Sequence, residues 1–306
     1  MQLITSFFRL IRWQNLLFII LTQALFYFCI YSTIYNSADS IKGLLWLMFG
    51  SALIAAAGYI INDYFDLNID QVNKPNKNVI NSFIGRRWAI VWHLTLSITG
   101  IVATAFAVGS QKWYLIAANA GCVLLLWLYS TSLKRQVLIG NIIISVLTAW
   151  TILVLFFLKV PVGFALKGSD ESTIKFLRIT FLYAGFAFII SLIREAVKDI
   201  EDMQGDARYG CKTLPIVAGV VATKIYIAVW IVVLVAALFS LQLYVVRFGW
   251  WWAVVYSFLF LIVPLVFLLA KLYTATQKLQ FSYLSSIAKG IMLTGILSMC
   301  FFKLYF

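Results

Sequence analysis

Long apolar runs recur along the whole sequence, and each is about 18 residues or more, the length that crosses a bilayer core of roughly 30 Å. The chain has 306 residues, of which 63% are hydrophobic and only 11% are charged. A soluble domain carries about twice that share of charged residues. The sequence therefore predicts an all-α, polytopic membrane protein with a single transmembrane domain over 1–306.

The runs predict nine membrane-spanning helices. They lie near 14–35, 42–62, 87–109, 113–130, 137–158, 177–197, 214–241, 249–271 and 287–305. Lys and Arg are more numerous in the connections on the side that carries the N-terminus, which predicts a cytoplasmic N-terminus and an outside C-terminus. We expect the protein to lie in the cell (inner) membrane, with its cavity open toward the cytoplasm.

The net charge of +13 is attributed to basic residues at helix ends, where they bind anionic lipid headgroups. It is therefore not a nucleic-acid signal. The sequence also gives no indication of an obligate protein partner, so the expected partners are membrane lipids and small substrates.

Acidic residues are concentrated in two short segments. Of the eleven in the chain, eight lie in "INDYFDLNID", which starts at Ile61, and "REAVKDIEDMQGD", which starts at Arg194. Each segment contains the spacing D-x-x-D-x-x-x-D. The first set is Asp63, Asp66 and Asp70, and the second is Asp199, Asp202 and Asp206. Offsets of three, four and seven residues put the carboxylates on one helix face. The repeat predicts two related halves, with motifs near 62–70 and 199–206.

Carboxylates this close together at the end of a helix repel one another and the helix dipole, so they require cations. Oxygen ligands of this kind suit Mg²⁺, which is usually shared between carboxylates and substrate phosphates. The competing interpretation is a solvated loop whose acids balance nearby Lys and Arg. The two acidic segments have the same spacing and lie on the same side of the membrane, which favours a site that binds a metal and a diphosphate.

Basic side chains near the motifs are suited to phosphate oxygens. They are Lys74 and Lys77 in "NKPNK", Lys134 and Arg135 after the fourth run, and Arg194 and Lys198 in the second segment. A diphosphate at the membrane surface with an apolar bundle behind it indicates a prenyl diphosphate. Aromatic residues, 17% of the chain, offer π faces that stabilise an allylic cation.

The two segments resemble the paired motifs of the UbiA superfamily of intramembrane prenyltransferases. "NDYFDLNID" is similar to its N-D-x-x-D-x-x-x-D motif and "KDIEDMQGD" to its second motif. "RWQN" (12–15), "YSTSLK" (129–134), "GN" (140–141) and "GCKTLPI" (210–216) agree with the family as well. Within the superfamily, the second motif is most similar to the branch that alkylates geranylgeranylglyceryl phosphate. One departure is "NKPNK", where Lys77 stands at a position at which Arg is common.

The resemblance implies a nine-helix bundle with a central cavity and Mg²⁺-dependent transfer of a prenyl group. It assigns metal binding to Asn62, Asp63, Asp66, Asp70, Asp199, Asp202 and Asp206. It assigns diphosphate binding to Asn15, Asn62, Lys77, Tyr129, Lys134, Arg194 and Lys198. Asp66, Asp199, Lys198 and Arg194 are the expected catalytic groups, and the proton acceptor is left open between Asp66, Asp199 and the diphosphate itself.

The expected reaction joins geranylgeranyl diphosphate to a lipophilic acceptor, foremost geranylgeranylglyceryl phosphate, in ether-lipid synthesis. Two alternatives remain open. One is an aromatic prenyltransferase of menaquinone-type quinone synthesis, and the other is a non-catalytic carrier or transporter of isoprenoid lipids. A transporter more often places charge at the membrane midplane beside Gly or Pro breaks. Here the acids cluster at helix ends and the chain has only four prolines.

Overall fold

The computed structural model of the chain describes residues 2–35, 41–73, 80, 84–160 and 170–305. Within these ranges the backbone is helical apart from short turns and one isolated bridge between Ile80 and Ile84. Helices are expected in lipid because they satisfy every backbone N–H and C=O within the segment. The prediction of an all-α protein is confirmed.

The helices are numbered here in chain order. They are α1 (Gln2–Leu10), α2 (Trp13–Tyr35), α3 (Ile41–Asn73), α4 (Arg86–Val108), α5 (Ser110–Thr131), α6 (Ile139–Lys159), α7 (Glu171–Glu201), α8 (Met203–Arg208), α9 (Leu214–Val217), α10 (Gly219–Phe248), α11 (Trp251–Thr274) and α12 (Lys278–Tyr305). Nine of them, all but α1, α8 and α9, are long and apolar enough to cross a membrane in the described part of the chain. The number and order of the predicted spans are confirmed, and the chain is an integral membrane protein.

The two helices that carry the acidic motifs are longer than the sequence predicted. The second span was expected to end at 62, but α3 continues to Asn73. The sixth was expected over 177–197, but α7 covers Glu171–Glu201. Hydropathy falls at these ends, whereas the helical spacing of the acidic residues persists. The first motif is therefore part of a helix rather than of a loop that follows it.

Small residues let α3 approach α4 closely. A Cβ on Gly50 would lie 2.9 Å from the carbonyl oxygen of Gly100, and a Cβ on Gly100 would lie 2.8 Å from Ile54. Close approach through small residues is a common way for membrane helices to pack, since lipid gives no hydrophobic drive to associate. This contact fixes α3 on its outer side, so that its motif faces inward.

Each motif-bearing helix is at the centre of its own packing group. Helix α3 packs against α2, α4 and α5, whereas α7 packs against α6, α10 and α12. Ile193 of α7, Ile231 of α10 and Ile291 of α12 share one buried core. The space between α3 and α7 is therefore bordered by both motifs.

The opposite end of the bundle is closed by an aromatic cluster. Phe26, Phe156 and Phe176 are almost fully buried there and pack against one another. Phe176 is near the start of α7, so at 1.5 Å per residue it is roughly 35 Å along the helix from Asp199. The interior of the bundle is thus polar at one end and tightly packed at the other.

Candidate active site

Both acidic motifs face one polar cavity of about 760 Å³. Every described residue that the family resemblance assigned to the site lines this cavity, whereas Arg135, a further cation that the sequence indicated, is not among the lining residues. The assigned residues are Asn15, Asn62, Asp63, Asp66, Asp70, Tyr129, Lys134, Arg194, Lys198, Asp199, Asp202 and Asp206. Lys77, predicted to bind diphosphate, and Lys74 beside it lie outside the described residues. Residues far apart in sequence are thus brought to a single site.

The first motif is neutralised by cations from other parts of the chain. Arg12 Nη2 donates to Asp63 Oδ1 at 2.6 Å, and Lys134 Nζ donates to Asp66 Oδ1. Lys134 is also 3.4 Å from Asn62 Oδ1. These pairs are partly buried, where ion pairs are screened less by water than at an exposed surface. The cations therefore offset the repulsion between the carboxylates of α3.

Arg12 reaches Asp63 from a strained backbone position. It lies between α1 and α2 with φ 51° and ψ 52°, the left-handed region that non-glycine residues rarely adopt. Its guanidinium lies 5.0 Å from the ring centroid of Tyr59. The nearby Asp63 carboxylate raises the pKa of the Arg12 guanidinium. Strain of this kind persists where surrounding contacts hold it, and here they direct a cation into the cavity.

Lys134 is positioned by a tight turn after α5. A 3-10 turn spans Leu133–Arg135, and α6 begins a few residues later. A Cβ on Gly140 would lie 2.9 Å from the Cα of Lys134. The glycine of the "GN" pair is therefore needed for α6 to pack against the turn that carries the lysine.

The second motif is arranged differently, because the helix breaks within it. Helix α7 ends at Glu201, Asp202 lies between the two helices, and α8 begins at Met203. Asp199 Oδ2 accepts a hydrogen bond of 2.9 Å from the amide of Asn141. The cations of this segment bind Glu195 instead, Arg194 at 2.8 Å and Lys198 at 3.0 Å.

One asparagine connects the two motifs. Asn73, at the end of α3, donates to the carbonyl of Asp202 and accepts from the N–H of Gly205, both at 2.9 Å. Lys278 donates to the carbonyl of Asn73 at 2.8 Å. A Cβ on Gly205 would lie 2.5 Å from the Asn73 side chain. The break in the second motif is thereby fixed against the end of the first.

A second, largely apolar chamber of about 310 Å³ continues from the polar cavity toward the interior of the bundle. Its wall includes Ile19, Leu126, Leu147 and Phe186. The residues that line both spaces mark their junction. They are Arg12, Asn15, Asn62, Tyr129, Arg194, Glu195, Lys198 and Lys289. The site thus joins a charged compartment to an apolar one, as a ligand with a charged head and an apolar tail requires.

The donor set fits a metal that shares its ligands with a substrate. Among the described residues, no three His, Cys, Asp or Glu side chains lie close enough together to hold an ion by themselves. Seven carboxylates, those of the six motif aspartates and Glu195, nevertheless line one cavity. Mg²⁺ usually binds through one or two carboxylates and completes its shell with water and phosphate oxygens. The arrangement suits ions held jointly by both motifs and a diphosphate.

A thiol nucleophile is not supplied by the polar cavity. Cys211 lines it, but burial, and then the charge of Asp206, raises the pKa of its thiol. The thiolate, rather than the thiol, is the reactive form of cysteine. The groups that the cavity offers are therefore carboxylates, cations and amides.

Several residues that the sequence did not identify as site residues contact those that it did. They include Arg12, Asn73, Asn141, Glu195 and Lys289. Arg12 and Asn141 stand within the quoted family segments, and Glu195 within the second acidic segment. Lys289 had a weaker signal, because it lies near the start of the predicted last span at 287–305, where a lysine is expected to bind headgroups.

Comparison with known proteins gives a family and a fold. The family model described as the UbiA prenyltransferase family matches residues 20–288. A digeranylgeranylglyceryl phosphate synthase from Pyrococcus abyssi is 33% identical over 185 residues, which is 60% of this chain and 60% of that protein. The first matching relatives, all of that name, align over 60–65% of their length.

Solved structures share the fold over almost the whole chain. A structure of digeranylgeranylglyceryl phosphate synthase superposes with a TM-score of 0.61 at 24% identity, covering 98% of this chain and 99% of the other. A UbiA homologue from Archaeoglobus fulgidus bound to DMAPP and Mg²⁺ gives a TM-score of 0.59 at 15% identity, covering 96% and 99%. At these identities the similarity concerns the arrangement of the helices.

Proposed function

Because this chain belongs to the UbiA prenyltransferase family, we propose that it transfers a prenyl group from an isoprenoid diphosphate to a lipophilic acceptor in the membrane. One observation carries the proposal. Both acidic motifs and several cations line a polar cavity that continues directly into an apolar chamber. The diphosphate binds in the first compartment and the prenyl chain extends into the second.

Mg²⁺ is the proposed cofactor. Its ligands come from the two motifs: Asn62, Asp63, Asp66, Asp70, Asp199, Asp202 and Asp206. The related Archaeoglobus structure, which holds Mg²⁺ with the prenyl diphosphate DMAPP, supports this choice. Bound Mg²⁺ neutralises negative charge on a departing diphosphate.

Residues of this chain bind and orient the diphosphate. Lys134, Arg194 and Lys198 line the cavity and supply cationic donors, which form the stronger hydrogen bonds to phosphate. Asn15 and Tyr129 line the junction and supply neutral donors near the C1 end of the prenyl chain. Lys77 stays a prediction from the sequence. When the diphosphate binds, Arg194 and Lys198 exchange their hydrogen bonds to Glu195 for hydrogen bonds to the diphosphate. The positive charge that binds the substrate is therefore already in the site.

The acceptor hydroxyl attacks C1 of the prenyl group, the C1–O bond to diphosphate breaks, and the hydroxyl proton leaves. Asp66 is held by the ammonium of Lys134, whereas Asp199 is held by the neutral amide of Asn141. The proton is accepted by one of these two carboxylates or by the departing diphosphate.

The proposed specific activity is transfer of geranylgeranyl to geranylgeranylglyceryl phosphate. Support comes from the relatives named digeranylgeranylglyceryl phosphate synthase. The cations at the junction also suit an acceptor that itself carries a phosphate. An aromatic acceptor of the quinone-forming branches is the alternative outcome of the test.

The test uses purified protein in detergent with Mg²⁺ and labelled geranylgeranyl diphosphate. Geranylgeranylglyceryl phosphate and dihydroxynaphthoate are supplied separately, and Asp66→Ala and Asp202→Ala serve as inactive controls. Ether-lipid product from the first acceptor, absent in both variants, is the expected result. Product from the naphthoate alone assigns the protein to quinone synthesis instead. Absence of product together with absence of Mg²⁺-dependent diphosphate binding contradicts prenyl transfer.

We further propose that the cavity opens to the cytoplasm, with the N-terminus inside and the C-terminus outside. The excess of Lys and Arg in connections on the N-terminal side supports this orientation. We also propose that the chain is one domain whose halves, centred on α3 and α7, are related. A reporter enzyme that is active only on the outer side of the membrane is fused after Phe306. We expect this fusion to be active, and an inactive fusion contradicts the orientation.

A further inference from the structure

Lys289 is a cation within a membrane-spanning helix, and its hydrogen-bond partner is neutral. It lies on α12, is half-buried, and donates to Asn15 Oδ1 at 2.8 Å. Its ammonium lies 5.1 Å from the ring centroid of Phe18. Among the described residues, no carboxylate oxygen comes within 4.0 Å of it. A charge in such a position is costly and usually functional.

Two arginines increase the positive charge around this lysine. Arg12 and Arg194 both repel the Lys289 ammonium electrostatically. Arg194 uses Nη1 to bind Glu195, but its Nε is buried and has no hydrogen-bond partner in the described part of the chain. Glu195 is also shared with Lys198. The local carboxylates therefore do not balance these cations, and a buried donor is left for a ligand.

The cluster is at the junction of the two compartments, apart from most of the metal-binding carboxylates. Arg12, Asn15, Arg194 and Lys289 line both the polar cavity and the apolar chamber. The six aspartates of the motifs line the polar cavity and not the chamber. A diphosphate held through metal on the aspartates and by Arg194 and Lys198 thus leaves Arg12 and Lys289 at the junction for a second anion.

We propose that Lys289 and Arg12 bind the phosphate monoester of the acceptor lipid, and that Asn15 positions Lys289 for this contact. The inference rests on the proposed function, because it names a subsite within that same site. A phosphate at the junction has two sources, the acceptor headgroup and the terminal phosphate of the prenyl diphosphate. The acceptor is assigned because the aspartates, Lys134, Arg194 and Lys198 already supply the diphosphate with partners.

Lys289→Met tests the assignment, since methionine keeps the length of the side chain and removes its charge. Lys271→Met is the matched control, because Lys271 is an exposed lysine near the end of α11 and lies 5.6 Å from the ring centroid of Phe267. Lys289→Arg retains the charge and checks that position 289 tolerates substitution. The KM values are measured separately for geranylgeranylglyceryl phosphate, geranylgeranyl diphosphate and geranylgeranylglycerol, the acceptor without its phosphate.

Lys289→Met is expected to raise the KM for the phosphorylated acceptor roughly 10- to 100-fold, the worth of one charged hydrogen bond. The KM for the diphosphate and the rate with geranylgeranylglycerol stay within about twofold, because neither involves the lost contact. Lys271→Met leaves all values unchanged. An equal rise in the KM for geranylgeranyl diphosphate assigns the lysine to the diphosphate and overturns the proposal, as does no change at all.

A binding measurement separates this inference from the proposed function. Thermal unfolding of the protein in detergent is followed with geranylgeranylglyceryl phosphate in the absence of Mg²⁺ and of diphosphate. The ligand is expected to stabilise the unsubstituted protein and Lys289→Arg but not Lys289→Met. This result supports the phosphate subsite even where no product forms. Equal stabilisation of all three proteins, or of none, contradicts it.

Discussion

The two acidic motifs have the same spacing but different structures. Asp63, Asp66 and Asp70 lie on one continuous helix, whereas Asp199, Asp202 and Asp206 extend across the break between α7 and α8. Identical spacing therefore does not give identical geometry. The first motif presents a regular helical face, whereas the second has Asp199 on α7, Asp202 at the break and Asp206 on α8.

The motifs also differ in how their charge is balanced. Arg12 and Lys134, which bind the first motif, are 51 and 68 residues away in the sequence from their partners. The second motif has cations beside it, but Glu195 binds them and Asp199 keeps a neutral partner. The first motif is thus neutralised by tertiary contacts, while the second retains cations that a diphosphate is able to take over.

The largest expected effect is the loss of a carboxylate from either motif. Asp66→Asn and Asp202→Asn are each expected to lower kcat/KM about 10²- to 10³-fold, the usual size for one electrostatic contribution at a reaction centre. Asp170→Asn is the control, because Asp170 caps α7 through Thr173 outside both compartments and Asn caps equally well. A motif that tolerates its substitution would not hold metal, and the two-motif model would fail.

Loss of the cation at the first motif is expected to have the next largest effect. Lys134→Met removes the partner of Asp66 and is expected to lower kcat up to about 100-fold through lost diphosphate stabilisation. The Mg²⁺ concentration for half-maximal rate falls or stays constant, because the freed carboxylate attracts the ion more strongly. Lys134→Arg is expected to retain part of the rate. A higher Mg²⁺ requirement in Lys134→Met contradicts the role of this ion pair.

The neutral partner of the second motif is expected to matter less. Asn141→Leu removes the amide that orients Asp199 and is expected to lower kcat/KM roughly 10-fold, as for other residues that orient a functional ligand. Ser145→Ala is the control on the same helix, since its hydroxyl donates to the main-chain carbonyl of Asn141 and not to Asp199. If Lys134→Met and Asn141→Leu have equal effects, the contrast between an ionic and a neutral partner has no functional consequence.

The smallest expected effect is on the connection between the motifs. Gly205→Ala places a methyl group against Asn73 and is expected to lower the free energy of unfolding by about 1–3 kcal/mol, with a severalfold loss of rate. Gly185→Ala on α7 is the control, because a Cβ there meets nothing within 4 Å. Thermal unfolding in detergent measures both. Equal stability of the two variants would show that the break at Asp202 does not depend on this contact.

Much of the fold follows from local sequence pattern. Nine apolar runs gave the number and order of the spans, and the run at 137–158 corresponds closely to α6 at Ile139–Lys159. The largest boundary error is at the first motif. Hydropathy placed the end of the second span at 62, but Arg12 and Lys134 neutralise the acidic turn so that the helix continues to Asn73.

The site itself was only partly visible in the sequence. The acidic spacing and the family segments identified the aspartates, Lys134, Arg194 and Lys198 as site residues. In the structure all of them line one cavity. Lys289 and Arg12 resembled ordinary headgroup anchors, because positive charge near a helix end is common in membrane proteins. Their roles depend on contacts such as that between Lys289 and Asn15, which are 274 residues apart.

The sequence by itself determined that this chain is a helical membrane protein with two acidic motifs of one spacing, because helix formation and membrane insertion respond to local periodicity and hydropathy. Only the tertiary structure decided which cations neutralise which carboxylates, where the helix of the second motif breaks, and that a surplus of positive charge gathers at the junction of the two compartments. Charge balance in a site depends on distances in space, and packing between helices sets those distances.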